Sequence, residues 1–113
     1  MKLAIVGSRS FSNYDFLVEN LSQIVTKDDI IVSGGARGAD TLASKYAYQY
    51  NLKLVVFKPD WEKFGKSAGY LRNVEIVNYC DKLLAFWDNK SKGTKHSIDI
   101  AIKQKKLLKV ILV

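Results

Sequence analysis

The 113-residue chain contains one cysteine and one histidine, and this scarcity excludes several kinds of site. Cys80 has no partner for an internal disulfide, which excludes a disulfide-stabilised scaffold, and its place in an apolar pattern predicts a buried free thiol. His96, near the start of a predicted helix, is expected to be solvated or capping and not a base. No histidine, cysteine and carboxylate cluster has metal-ligand spacing, so we expect no metal site and no nucleophile–histidine–acid triad.

Proline occurs once, at Pro59, and neither a repeat nor a low-complexity segment interrupts the chain. Without a candidate linker, residues 1–113 are expected to form one domain, long enough to bury roughly two-thirds of the unfolded surface. No apolar run is long enough to span a membrane. One lysine and four apolar residues before Gly7 predict a first strand and not a signal peptide, so we expect a cytoplasmic protein with no membrane partner.

Five nearly continuous apolar runs alternate with stretches of helical periodicity. The runs are Leu3–Val6, Ile30–Val32, Leu54–Phe57, Leu83–Phe86 and Leu107–Val113. Continuous apolar strands are typical of a parallel sheet covered on both faces. We therefore predict a single Rossmann-like, doubly wound α/β domain, with a mostly parallel five-stranded sheet between helices. If the strand order is 3-2-1-4-5, the first strand is central and the order reverses between the first and fourth strands.

Apolar residues between the strands recur every three or four positions, as on helices that pack by one face. The third such stripe consists of Leu71, Val74, Val77 and Cys80. Tyr46, Tyr48 and Tyr50 lie on the second predicted helix. These tyrosines could form an aromatic surface that contacts a partner subunit. Alternatively, Tyr46 and Tyr50 could face the core.

Arginine is scarce, and its three occurrences are confined to glycine-bearing segments. Against fifteen lysines, Arg9 lies in GSRSF, Arg37 in SGGARGAD and Arg72 in SAGYLRN. The planar guanidinium binds phosphate with two parallel hydrogen bonds, which lysine cannot do. The net charge of +7 leaves two interpretations open: solubilising lysine on helix faces, or attraction of a polyanion or nucleotide.

SGGARGAD, residues 33–40, is the strongest signal for an anion site. Glycine lets the backbone approach a ligand closely, and a helix that begins here offers N–H groups without an internal acceptor. The predicted ligand-binding residues are Ser33, Gly34, Gly35, Arg37, Gly38 and Asp40. The alternative is a plain strand-to-helix turn with Asp40 as a cap or first-turn carboxylate. The segment is neither a P-loop nor the dinucleotide fingerprint, which argues against ATPase and dehydrogenase chemistry, and we expect no cofactor.

Two further strand-to-helix connections carry the same kind of signal. In GSRSF, Gly7, Ser8 and Arg9 follow the predicted central strand and should face the crevice. The alternative is that Ser8 or Ser10 caps the next helix, together with Ser12 or Asn13. In SKGTKHS, Gly93 and Thr94 resemble the beginning of a helix that binds phosphate. The alternative is that Thr94 is an ordinary N-cap.

The segment from Pro59 to Asn73 is a loop that leads into a helix. Trp61 is a candidate for stacking on a base, with packing in the core or a lid as the alternative. Arg72 is expected to reach inward while Leu71 packs, and Asn73 to bond the ligand or a neighbouring loop.

In this order, GSRSF, SGGARGAD, the DW…GKSAGYLRN block and AFWDNKSKGT resemble the YspA/YpsA-related branch of the SLOG superfamily. Relatives include the LOG phosphoribohydrolases and the DNA-processing protein DprA. The resemblance implies a Rossmann-like fold that binds nucleotides or their derivatives in the crevice. LOG enzymes carry PGGxGTxxE, whose Glu acts with an arginine in cleaving an N-glycosidic bond. Here Gly93 and Thr94 match and Arg72 is similarly placed, but the Glu position holds Ser97.

The leading hypothesis is a protein that binds a nucleotide-derived small molecule as a sensor, carrier or sequestering module. Phosphate would lie on the glycine-bearing turns, with the three arginines compensating its charge. One alternative is a LOG-like N-glycoside hydrolase, for which Arg72 and Asp40 are the candidate catalytic residues. The other is a DprA-like binder of single-stranded nucleic acid. Because members of the resembled family commonly self-associate, a homodimer is also expected.

Overall fold

The five apolar runs form the five strands of one sheet in a computed structural model that describes all 113 residues. The strands are β1 Lys2–Gly7, β2 Ile30–Ser33, β3 Lys53–Val56, β4 Lys82–Trp87 and β5 Leu107–Leu112. The helices are α1 Tyr14–Ser22, α2 Ala39–Gln49, α3 Trp61–Phe64, α4 Ala68–Tyr79 and α5 Lys92–Lys103, with a 3-10 turn at Gly65–Ser67. All pairings are parallel, which confirms the predicted fold class, and the strand order is β3-β2-β1-β4-β5, the order in which the first strand is central.

Alternate residues of β1 supply two hydrophobic cores, one on each face of the sheet. Leu3 and Ile5 pack with residues of α1 and α2, whereas Ala4 and Val6 pack with residues of α4 and α5. This division follows from the two-residue period of a strand. Each fully buried leucine or isoleucine contributes about 1.5–3 kcal/mol, so these central residues fix the helices against the sheet.

The two edge strands depart from the predicted coverage on both faces. In β3, Leu54 is exposed, and in β5, Leu108 and Leu112 are exposed. Only β1, β2 and β4 are buried throughout most of their length. Both strands lie at an edge of the sheet, where each pairs with one neighbouring strand only.

Helix α4 packs by a different face from the predicted one. Leu71 and Val74 are exposed, while Arg72, Asn73, Ile76 and Val77 are buried. The helix ends at Tyr79, so Cys80 lies just beyond it in an extended conformation. Its thiol is buried and free as predicted, and burial raises its pKa. The inward turn of Arg72 and Asn73 brings these two side chains to the carboxyl edge of the sheet.

The tyrosines of α2 do not form one continuous strip. Tyr46 is buried and its ring lies 4.6 Å from that of Tyr50, whereas Tyr48 is 88% exposed. Tyr46 therefore belongs to the core, and homodimerisation stays a prediction. None of the helices has the length and apolar character needed to cross a bilayer.

Candidate functional site

A cleft lies at the carboxyl ends of the strands, where the strand order reverses between β1 and β4. Two cavities that share Arg9, Ala36 and Arg72 make up this cleft. The first, called here the α5 cavity, has a volume of about 410 Å³. The second, the Trp61 cavity, has a volume of about 570 Å³. All three arginines line one or both cavities.

The predicted site residues divide into a lining group and a supporting group. Those that line the α5 cavity are Gly7, Arg9, Asp40, Arg72, Asn73, Gly93 and Thr94. Those that line the Trp61 cavity are Arg9, Gly35, Arg37, Trp61 and Arg72. Ser8, Ser33, Gly34 and Gly38 line neither cavity and lie directly behind the lining residues.

Arg72 is a buried cation without a carboxylate partner. Its Nη1 donates to the carbonyl oxygen of Gly34, and its Nε donates to Asn73 Oδ1 at 3.1 Å. The only salt bridges in the chain join the N-terminus to Asp29 and Lys95 to Asp99. Burial lowers the pKa of Arg72, but a guanidinium stays charged in proteins. Hydrogen bonds within the protein use two of its five N–H groups.

The space for Arg72 exists because residue 34 is glycine. A Cβ placed on Gly34 would lie 2.6 Å from Arg72 Nη1 and 2.9 Å from Asp40 Oδ2. Both side chains therefore pack against the bare backbone of the loop after β2. Ser33 supports the same corner, since its hydroxyl donates to the carbonyl oxygen of Asp40 at 3.3 Å.

Asn73 connects α4 to the beginning of α5. Its Oδ1 accepts from Arg72 Nε, and its Nδ2 donates to the carbonyl oxygen of Gly93 at 3.3 Å. These two bonds fix the orientation of the amide, so the contact of 3.3 Å between Nδ2 and His96 Nδ1 requires Nδ1 to accept. Burial lowers the pKa of His96, which agrees with a neutral ring. His96 therefore positions Asn73.

Asp40 places a carboxyl group in the wall of the α5 cavity. It is buried in the first turn of α2, and its Oδ2 accepts from the Ala36 N–H at 3.2 Å. Burial raises the pKa of Asp40 to about 6, although the Ala36 N–H, Arg72 and Arg9 favour the charged form. The carboxyl group therefore changes charge close to neutral pH, within a cavity lined by cations.

Asp40→Asn is expected to be more stable than the parent protein near neutral pH, by an amount that grows as pH rises. The folded state holds the Asp40 proton more tightly than the unfolded state, whose pKa is the ordinary 3.8. The resulting stabilisation is complete below that value and is lost as pH rises through about 6. Urea unfolding of both proteins should show their difference in unfolding free energy growing by about 3 kcal/mol between pH 4 and 7. A difference that stays constant over this range contradicts the assignment.

The first turn of α5 presents unpaired hydrogen-bond donors to the α5 cavity. Asp88 accepts from the N–H groups of Ser91 at 2.7 Å and Lys90 at 2.8 Å, and these bonds lower its pKa to about 2. Asp88 thereby fixes the loop, while the N–H groups of Lys92, Gly93 and Thr94 have no acceptor. Ser91, not Thr94, occupies the N-cap position, so the N-cap alternative for Thr94 is wrong.

Ser8 joins the ends of the two central strands. It is fully buried, and its Oγ accepts from the Asp88 N–H at 2.9 Å. Asn13 is the residue that caps α1, because its side chain accepts from the Phe16 N–H. The capping alternative therefore holds for Asn13, whereas neither Ser8 nor Ser10 is the N-cap. Ser8 instead holds the β1 and β4 loops together at the cleft.

The structure adds lining residues that the motifs did not indicate. They are Val6, Ser10, Ala36, Ile76, Ser91, Lys92 and Ser97 in the α5 cavity, and Lys58 and Pro59 in the Trp61 cavity. Ser97 could have been predicted as a lining residue, because it lies three residues after Thr94 and therefore on the same face of the helix. Lys58 directly follows the third apolar run, so the sequence also indicated its place at this edge of the sheet. No group of three or more histidine, cysteine or acidic residues is placed to hold a metal ion.

Comparison with known proteins gives one curated relative and two solved structures of similar fold. The gene 61 protein of Mycobacterium phage D29 is 35% identical over 104 residues, covering 84% of this chain and 83% of the relative. DprA from Streptococcus pneumoniae has a TM-score of 0.78 at 23% identity, over 96% of this chain and 48% of DprA. DprA from Helicobacter pylori has a TM-score of 0.72 at 23% identity, over 97% of this chain and 64% of that protein.

These likenesses carry different weight. At 23% identity the two DprA structures establish the shared fold, and this chain spans roughly half to two thirds of their length. Residues 1–64, which include the loops after β1 and β2, match the model of a named family. With more than half of the chain matched and a relative at 35% identity, the chain belongs to the YspA, cpYpsA-related SLOG family.

Proposed function

We propose that the protein binds a nucleotide or nucleotide-derived ligand at the carboxyl edge of its sheet, as a sensor, carrier or sequestering module. The observation that carries this proposal is the buried guanidinium of Arg72, which has no ion-pair partner and faces the same cavity as the unpaired N–H groups of α5. Burying a cation costs free energy, which the attraction of Asp40 offsets without a direct salt bridge, and a bound anion would lower that cost further.

A phosphate group fits the α5 cavity at the beginning of α5. The N–H groups of Gly93 and Thr94 have no acceptor, and the positive end of a helix dipole favours negative charge. The hydroxyl groups of Thr94 and Ser97 have no hydrogen-bond partner within the protein and line the same cavity. Arg9 and Lys92 add positive charge. This set of donors suits a phosphate monoester, which carries about 1.5 to 2 negative charges.

The Trp61 cavity is suited to a nucleobase. Trp61 is 52% exposed, so the alternative of core packing is wrong for this side chain. A Cβ placed on Gly69 would lie 3.6 Å from the Trp61 ring, so the indole rests beside the beginning of α4. No other aromatic ring stacks on it. Stacking of a base on an aromatic side chain is worth about 1–3 kcal/mol.

Nucleoside 5′-monophosphates are expected to bind the protein with a one-to-one stoichiometry in calorimetric titration. Arg9→Gln should weaken binding about tenfold, because a charge-assisted hydrogen bond contributes about 1.5–3 kcal/mol. Lys27→Gln is the matched control, since it removes one exposed cation from the loop before β2, at the opposite edge of the sheet. Equal weakening in both variants would contradict the site.

The ligand itself can be sought in the purified protein. Denaturing natively purified protein and analysing the released small molecules by mass spectrometry should yield a phosphorylated nucleoside derivative. If no such molecule is released and none of the common nucleoside monophosphates binds at millimolar concentration, the proposal is overturned.

Hydrolysis of an N-glycosidic bond is the second candidate, and Asp40 is the observation that favours it. Its pKa of about 6 suits a group that donates or accepts a proton near neutral pH, and it shares a cavity with Arg72. In this assignment Asp40 would serve in place of the Glu that Ser97 replaces. Incubation with nucleoside monophosphates, followed by chromatography for free base, tests turnover. Base release that persists in Asp40→Asn would exclude Asp40.

Binding of single-stranded nucleic acid is a further alternative. The DprA structure from Helicobacter pylori concerns a single-stranded DNA binding mode of that protein. The shared fold supports the same activity here only weakly. The alternative predicts affinity for oligonucleotides that falls steeply with salt concentration.

A further inference from the structure

The cleft contains more positive charge than one phosphate group can neutralise. Five cations line its two cavities: Arg9, Arg37, Lys58, Arg72 and Lys92. Asp40 is the only carboxylate among the lining residues, and none of the five cations forms a salt bridge. One phosphate monoester supplies about two negative charges at most. Two phosphate groups would match the net surplus of about four positive charges that five cations and one carboxylate leave.

The cations are divided between two places. Lys92 lies at the beginning of α5 in the α5 cavity, where the unpaired N–H groups converge. Arg37 and Lys58 line only the Trp61 cavity, which contains no carboxylate. Arg9 and Arg72 belong to both cavities and separate these two cationic positions. Two anionic groups are therefore accommodated apart from each other.

The part of the ligand that joins the two anionic groups must bind the residues shared by both cavities, above all Arg72. Arg72 uses two N–H groups on Gly34 and Asn73, which leaves the others to be shared between the phosphate at α5 and nearby oxygen acceptors such as those of a sugar. The half-exposed ring of Trp61 lies in the same cavity as Arg37 and Lys58 and offers a surface for a base. A nucleoside supplies both the oxygens and the aromatic ring.

From this arrangement we infer that the ligand is a free nucleotide with a phosphate group on each side of its nucleoside. One phosphate binds the first turn of α5 and the other binds between Arg37 and Lys58. The inference rests on the proposed function and narrows it to a class of ligand. Two adjacent phosphates, as in a nucleoside diphosphate, would occupy one of these positions and leave the other empty.

The probes are adenosine and guanosine 3′,5′-bisphosphates, compared with the corresponding 5′-monophosphates and 5′-diphosphates at constant ionic strength. For at least one base, the bisphosphate is expected to bind about 10- to 100-fold more tightly than the monophosphate, as one additional set of charge-assisted hydrogen bonds gives. The 5′-diphosphate should gain much less. Equal affinity of bisphosphate and monophosphate would overturn the inference while leaving the proposed function intact, whereas no binding by any probe would overturn both.

Two double variants locate the second phosphate. In Arg37→Gln/Lys58→Gln, the ratio of bisphosphate affinity to monophosphate affinity should fall to about one. Lys63→Gln/Lys66→Gln removes the same charge from neighbouring exposed residues that line neither cavity, and should keep the preference. Loss of the preference in both double variants would assign it to overall charge and overturn the inference.

Oligonucleotides of two to eight residues separate a free nucleotide from a nucleic-acid strand, which repeats the same phosphate–nucleoside–phosphate unit. The inference is supported if oligonucleotides bind no more tightly than a single nucleoside that carries two phosphates. Affinity that continues to increase with length and falls steeply with salt concentration would assign these positions to a strand and overturn it.

Discussion

Arg72→Met is expected to lower affinity for a nucleoside monophosphate on the order of 100-fold, the largest effect of any single substitution in the cleft. The substitution removes the one cation that is both buried and part of both cavities. It also removes the bonds to Gly34 and Asn73, which hold the loop after β2 and the beginning of α5 in place. Calorimetric titration gives the affinity, and circular dichroism reports whether the variant folds.

Two further variants separate charge from geometry at this position. Lys66→Met removes one exposed cation outside both cavities and should bind as the parent protein does. Arg72→Lys keeps the charge but cannot form the two bonds in their present geometry, so an intermediate loss of about tenfold is expected. If Arg72→Lys binds as tightly as the parent protein, the planar guanidinium is not required and the proposed geometry is wrong.

Gly38→Ala is expected to lower the free energy of unfolding by more than about 3 kcal/mol, because strain and overlap act together. Gly38 precedes α2 with φ of 79° and ψ of −127°, a region that essentially only glycine occupies. A Cβ at this position would lie 2.2 Å from the carbonyl oxygen of Ser8 and 2.6 Å from the backbone of Arg9. The loops after β1 and β2 would have to separate, which would also open the cleft.

Gly65→Ala is the matched control for this prediction. Gly65 has a similar conformation, with φ of 54° and ψ of −132°, but nothing lies within 4 Å of an added Cβ. Backbone strain alone should cost about 1–3 kcal/mol there. Urea unfolding should therefore show a clearly larger loss for Gly38→Ala. Equal losses would mean that the contact between the two loops is not close in solution.

The contrast between α4 and the strands shows how far a sequence pattern can be followed. The spacing of Leu71 and Val74 predicts a helix that packs this apolar face on a hydrophobic layer. Helix α4 instead turns Arg72 and Asn73 inward, because its first half borders a polar cleft and only Ile76 and Val77 reach the core. Periodicity locates a helix but does not indicate whether its buried face meets apolar or polar surroundings.

Trp61 and Ser97 show the same limit for single residues. The sequence left Trp61 between stacking on a base and packing in the core or a lid, and the exposure of its ring in a cavity excludes only the core. Ser97 was notable only as the replacement for a family glutamate. Its place beside Thr94 in the α5 cavity depends on how α5 packs against the sheet.

The sequence by itself determined the number of strands, their parallel arrangement and the edge at which polar loops gather. Continuous apolar runs and glycine-bearing turns are local features, and connection rules leave few ways to assemble them. Only the tertiary structure decided that Arg72 is buried without an ion pair. Its hydrogen bond goes to the carbonyl oxygen of Gly34, which is 38 residues away in the chain. The energetic cost of burying that charge depends on which groups surround it in three dimensions, and no periodicity in the chain encodes those neighbours.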